Sequence, residues 1–165
     1  MEPLRLSFLS RSVEKTRRLG AALGELLLPG DFVALLGELG AGKTEFVRGV
    51  AEGAGVPAGE VASPTFALIY HYQGRVPLVH ADLFRLQTQD DLYGTGYFEL
   101  RDRGEAALLV EWADRIPHAV PPDALEVRLT AGVGKERRLA AVSSGPLSQV
   151  RLAAWGQAAA DAASH

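Results

Sequence analysis

Apolar and polar positions alternate around Leu4, Leu6 and Phe8, which predicts a first β-strand. The period then becomes helical. Leu19, Ala22, Leu23, Leu26 and Leu27 form one stripe, with Ser10 or Ser12 placed to cap its start and Pro29-Gly30 to end it. Residues 31–36 are a short continuous apolar run, the pattern of a strand buried on both faces. After a glycine-rich break, Phe46, Val47, Val50 and Ala51 recur at helical spacing, and residues 53–59 break the pattern again. Residues 66–72 and 76–82 read as a hairpin turning at Gln73-Gly74, with Pro77 at an edge or a strand start. Two short amphipathic pieces, 87–93 and 96–103, precede a buried-type strand at 106–110. Residues 124–130 and 137–142 form a second hairpin about a turn at 132–134. A last helix from Pro146 is expected to bury Leu147, Val150, Ala154 and Trp155, with residues 158–165 fraying.

Strand and helix periods interleave without an internal repeat or linker, which predicts one α/β domain over residues 1–157 whose central sheet mixes parallel and antiparallel strands. A chain of 165 residues that is 47% hydrophobic can bury on the order of 70% of its unfolded surface in one core. It has no cysteine, so it needs neither a disulfide framework nor thiolate chemistry to be explained. Met1-Glu2-Pro3 does not open a signal peptide and no apolar run reaches membrane-spanning length, so the expected location is cytoplasmic, with no membrane partner. A net charge of −3 argues against coating nucleic acid by bulk electrostatics, and no DNA partner is expected.

The stretch that carries chemistry is Gly37-Glu38-Leu39-Gly40-Ala41-Gly42-Lys43-Thr44, which satisfies the phosphate-loop pattern G-x-x-x-x-G-K-[ST] between a buried strand and an amphipathic helix. Glycines let the backbone curl into a nest whose N–H groups face phosphate oxygens, and the helix N-terminus behind it favours anions. Lys43 adds a cation for the β- and γ-phosphates of ATP, and the Thr44 hydroxyl suits the accompanying Mg²⁺.

Such a loop holds a triphosphate without hydrolysing it, so strand-end acids become candidates for metal and water. Asp82 and Glu111 each follow a predicted strand directly, where ligands of open α/β sheets bind. Asp82 also reads as a helix cap, and Glu111 as an early-turn acid favouring a helix dipole. Thr65, in Ser63-Pro64-Thr65-Phe66, stands where a γ-phosphate sensor often lies, although by its residues alone the segment reads first as a proline turn with Thr65 opening the strand. Trp112 reads as a packing residue.

Together the phosphate loop, Ser63-Pro64-Thr65-Phe66, His80-Ala81-Asp82-Leu83-Phe84-Arg85 and Val110-Glu111-Trp112 occur in the order found in the bacterial TsaE (YjeE) family, which this sequence resembles from about residue 12 to about 142. Phe84 departs from the family's usual tyrosine. The resemblance implies a P-loop NTPase-like three-layer sandwich. It also implies an ATPase needed for threonylcarbamoyl modification of the adenosine beside the anticodon, in tRNAs reading codons that begin with A. The implied partner is a TsaB–TsaD heterodimer, with tRNA reached through that complex. By the same resemblance Lys43 and the loop amides bind ATP, Thr44 and Glu111 contact Mg²⁺, Asp82 supports metal or water, and Thr65 is a switch residue. Nucleotide contacts are also implied around Val13 and near Val133.

Two other readings use the same loop. A small-molecule kinase would take Arg101 and Arg103 as a lid over the acceptor, and a binding switch would use ATP occupancy without hydrolysis. GTPase specificity of the N-K-x-D kind is excluded, since the chain has no asparagine.

Overall fold

The computed structural model describes residues 2–38, 40–57, 59–61 and 68–163. In chain order the elements are β1 (Arg5–Ser10), α1 (Val13–Gly24), β2 (Phe32–Leu36), α2 (Lys43–Gly53), β3 (Ile69–Gln73), β4 (Pro77–Asp82), α3 (Gln89–Tyr93), α4 (Tyr97–Arg103), β5 (Ala107–Glu111), a 3₁₀ turn (Ala113–Arg115), β6 (Leu125–Ala131), β7 (Arg137–Ser143) and α5 (Pro146–Ala163). The seven strands form one sheet in the order β1-β7-β6-β2-β5-β4-β3. β6, β2, β5 and β4 are mutually parallel, whereas β7 and β3 run antiparallel to their neighbours. The mixed sheet read from the sequence is therefore present, with its parallel part in the middle.

Side-chain alternation along the central strands sorts the core into two layers. Val33 and Leu35 of β2 face one cluster with Leu23, Phe46, Val50 and Trp155, whereas Phe32, Ala34 and Leu36 face a second with Leu92, Tyr97 and Ile116. Helices α1, α2 and α5 thus cover one face, and α3 and α4 the other. Ser12 is the residue that caps α1, its hydroxyl accepting from Lys15 N at 3.0 Å. Ser10 instead shares a buried hydrogen bond with Thr16.

Helices α1 and α2 approach backbone to backbone. A Cβ at Gly20 would stand 2.4 Å from the Phe46 carbonyl oxygen, and one at Gly49 would stand 2.0 Å from that of Arg17. Glycines four apart on both helices permit this crossing, which sets the start of α1 beside the start of α2, and hence beside the phosphate loop. Arg75, in the turn before β4, closes the far end of α1 by donating to the carbonyls of Gly24, Glu25 and Leu27 at 2.9–3.1 Å.

One expectation narrows and one changes. Pro77 opens β4, a strand flanked on both sides, so it marks a start and not an edge. In α5, Leu147 and Val150 are 41% and 61% exposed. The buried face runs instead through Ser148, Arg151, Leu152 and Trp155, because Arg151 turns inward to pair with Asp31 at 2.6 Å. The same helix is described as far as Ala163. Alanine has the highest helix propensity, and Gln157 bonds Asp161 one turn on at 2.9 Å.

Candidate active site

All four parallel strands end at one edge of the sheet, and the residues that leave them there share a face. Asp82 keeps the parity of Leu78 on β4, and Glu111 that of Leu109 on β5, so both carboxylates project toward the layer holding α2. Asp82 and Glu111 are register partners on adjacent strands, which makes them neighbours. They line a cleft of about 500 Å³ together with Lys43 and Thr44 from the loop, Val13 and Thr16 from α1, Trp112, and Lys135 and Arg137 from the β6–β7 hairpin.

The loop wall is built of backbone. Gly42, at φ 97°, is the N-cap of α2, which starts at Lys43. Gly37 has φ 146° and packs so tightly that a Cβ there would stand 2.6 Å from the Leu129 carbonyl oxygen. Lys43 is buried, donates to the Gly37 carbonyl at 2.6 Å and lies 3.8 Å from the Trp112 ring centroid. Burial pushes its pKa down, against the opposing pull of Glu111 and Asp82. Trp112 therefore packs against the site's own cation and lines the cleft, and it does so with φ 57°, a left-handed conformation uncommon for a bulky residue. That geometry turns the chain from β5 into the 3₁₀ turn.

The opposite wall is built of side chains. Glu111 Oε2 lies 2.7 Å from His80 Nε2, with both side chains nearly inaccessible, so an ionised Glu111 accepts a hydrogen bond and keeps its remaining lone pairs for another ligand. His80 is stacked with Tyr70 and Tyr72, and its Nδ1 has no hydrogen-bond partner among the described residues. Asp82 Oδ1 accepts from Phe84 N at 3.0 Å, so it caps a turn and not a helix. Burial raises the Asp82 pKa, partly offset by that hydrogen bond, while nearby Glu111 raises it further. Lys43 and Asp82 are thus both pushed toward neutrality by desolvation, a cost that an incoming anion and an incoming cation would respectively relieve.

Of the residues singled out in the sequence, Val13, Gly40, Gly42, Lys43, Thr44, Asp82 and Glu111 line this cleft. Ala41 is buried beneath the loop, and Glu38, exposed, accepts from Ala41 N through its carbonyl. Leu39 and Thr65 lie outside the described residues. Val133 stands at the hairpin tip, 88% exposed, and does not line the cleft. Lys135 and Arg137 of the same hairpin do. The strand at 137–142 is legible in the sequence, but nothing there shows that its first residue meets the loop. Arg101 and Arg103 also lie off the cleft: Arg101 bonds the His118 carbonyl and flanks Phe98, and Arg103 borders a separate small cavity. The lid that a kinase reading needed is absent from these two residues.

Comparison with known proteins agrees in extent with this architecture. The family model for threonylcarbamoyl adenosine biosynthesis protein TsaE matches residues 10–139. The tRNA threonylcarbamoyladenosine biosynthesis protein TsaE of Treponema pallidum (strain Nichols) is 39% identical over 120 residues, spanning 73% of this chain and 87% of that protein. Its counterpart of the same name in Bacillus subtilis (strain 168) is 37% identical over 128 residues, spanning 76% and 78%. The crystal structure of Bacillus subtilis YdiB superposes with a TM-score of 0.79 at 26% identity, over 95% of this chain and 97% of that one.

Proposed function

The chain belongs to the TsaE family of tRNA threonylcarbamoyladenosine biosynthesis, and on that premise we propose that it is a slow, cytoplasmic, Mg²⁺-dependent ATP hydrolase acting with a TsaB–TsaD heterodimer. The observation that carries this reading is the meeting of Lys43 and Thr44 with two strand-end carboxylates in one cleft. A phosphate loop alone accounts for binding, and the acids opposite it supply what hydrolysis further requires.

In this reading the loop amides and Lys43 hold the triphosphate, and Lys43 exchanges the Gly37 carbonyl for phosphate oxygens. Glu111, oriented by His80, directs the attacking water at the γ-phosphorus. A bond forms from that water oxygen, the bond to the β–γ bridging oxygen breaks, and ADP and inorganic phosphate leave, with the water's protons passing to phosphate and solvent. Among the described residues no three His, Cys, Asp or Glu side chains are grouped to hold a metal by themselves. Mg²⁺ does not ask for that, since it binds through one or two carboxylates and completes its shell with phosphates and water. The oxygen donors of Thr44, Asp82 and Glu111 fit such an ion. When bound, Mg²⁺ would neutralise charge on the β- and γ-phosphates.

The test is to combine the purified chain, ATP, Mg²⁺, tRNA and the TsaB–TsaD pair, following phosphate release and complex formation. The expected result is that the pair binds the chain and raises its turnover. A pair that neither binds nor alters turnover would contradict the proposed partnership.

A further inference from the structure

Among the described residues the phosphate loop has few ties of its own. Ala41 N donates to the Glu38 carbonyl at 3.1 Å and Lys43 Nζ to that of Gly37 at 2.6 Å. Gly40 is exposed at φ 81°, and among the described residues nothing beyond its own chain neighbours lies within 4 Å of where a Cβ would stand. The peptide joining Gly40 to Ala41 is therefore held at its N–H by Glu38, and its carbonyl turns toward the β6–β7 hairpin. There Arg137 Nη2 donates to the Gly40 carbonyl at 3.3 Å, while Nη1 donates to those of Gly134 and Glu136 at 2.9 and 2.7 Å. The arginine stem lies against Gly42, where a Cβ would stand 3.6 Å from its Cγ.

We propose that Arg137 is a positioning residue: its guanidinium fastens the 40–41 peptide to the hairpin and so holds the loop in its anion-binding form before a ligand arrives. The three carbonyls are reached by one rigid planar fork, which a lysine's single ammonium cannot reproduce. A peptide plane held at both its N–H and its C=O does not rotate, and the orientation of successive N–H groups is what makes such a loop an anion site. Preorganisation of this kind strengthens binding by removing an ordering cost. The ligand side of the inference rests on the ATP reading above, whereas the latch itself does not.

Two variants separate geometry from charge. Arg137→Ala removes the fork and the charge, and Arg137→Lys keeps the charge alone. Hydrogen exchange of the Ala41 amide is measured without nucleotide, with the α2 amides of Val47 and Val50 as a control for general unfolding, and ATP affinity is measured by calorimetry. Both variants are expected to exchange Ala41 roughly tenfold faster with α2 unchanged, and to lose ATP affinity alike by about tenfold. Unchanged Ala41 exchange, wild-type behaviour of Arg137→Lys, or faster exchange with unchanged ATP affinity would each overturn the proposal. If the parent chain itself binds no ATP, the nucleotide reading fails, and the exchange measurement alone decides the latch.

Discussion

Two buried acid–base pairs stand on this sheet and differ in how completely they are satisfied. Asp31, just before β2, accepts from Arg151 of α5 at 2.6 and 3.5 Å and from Leu28 N at 2.8 Å. Glu111, at the opposite end of the parallel strands, has one contact to His80, whose other ring nitrogen has no partner among the described residues. The first pair is closed. It fixes α5 against the sheet, together with Trp155, which is fully buried against Phe8 and bonds the Leu19 carbonyl at 2.9 Å. The second is open toward the cleft, with Asp82 beside it. Burial of charge is therefore used for two ends: full satisfaction serves anchoring, and partial satisfaction leaves lone pairs for a ligand.

The comparison breaks most visibly if the two pairs respond alike to mutation. Glu111→Ala should lower ATP turnover roughly 10²- to 10⁴-fold, while nucleotide affinity measured by calorimetry stays close to the parent's. Undiminished turnover would remove Glu111 from the chemistry. Arg151→Ala should do the reverse, because it leaves Asp31 buried without its partner: a loss of about 3–5 kcal/mol in urea unfolding, with turnover per folded molecule preserved. An active-site defect at full stability in that variant would erase the distinction.

Smaller effects sharpen it. Asp82→Asn should raise the Mg²⁺ concentration needed for half-maximal turnover by about 10- to 100-fold, read from metal titrations at saturating ATP. The same change should alter the pH dependence of stability. Because burial raises the Asp82 pKa, the folded chain binds more protons than the unfolded one between the ordinary and the raised value, so stability falls as pH rises through that window. Asp82→Asn lacks this slope. Thermal unfolding should find it slightly more stable than the parent above the window and level with it below.

What the sequence disclosed divides along similar lines. The Ser12 cap, the glycine-rich break between β2 and α2 and both hairpins are local patterns, and the hairpin strands start and end within a few residues of where the spacing placed them, residues 66 and 67 of the first lying outside the described residues. Asp82 and Glu111 were legible as strand-end acids, but their adjacency depends on β4 and β5 pairing in register. The buried face of α5 is not legible in its own spacing, because its inward arginine answers an aspartate 120 positions away. Leu147 and Val150 looked like core only while that partner was unknown. The same long-range blindness hid Arg137, whose acceptor on the loop lies 97 positions earlier. Gly20, Gly24, Gly49 and Gly53 were plain in the sequence, yet their use as a backbone-to-backbone crossing emerges only when α1 and α2 meet. Trp112 was expected to pack and does, but what it packs against is the loop lysine.

The most direct test of the two-walled cleft is a titration of ATP with Mg²⁺ into the parent chain and into Lys43→Ala, with phosphate release followed in the same samples. Saturable binding and slow, Mg²⁺-dependent release of phosphate are expected of the parent, both lost in the variant. Equal binding by the two chains, or no binding by the parent, would contradict the two-walled cleft.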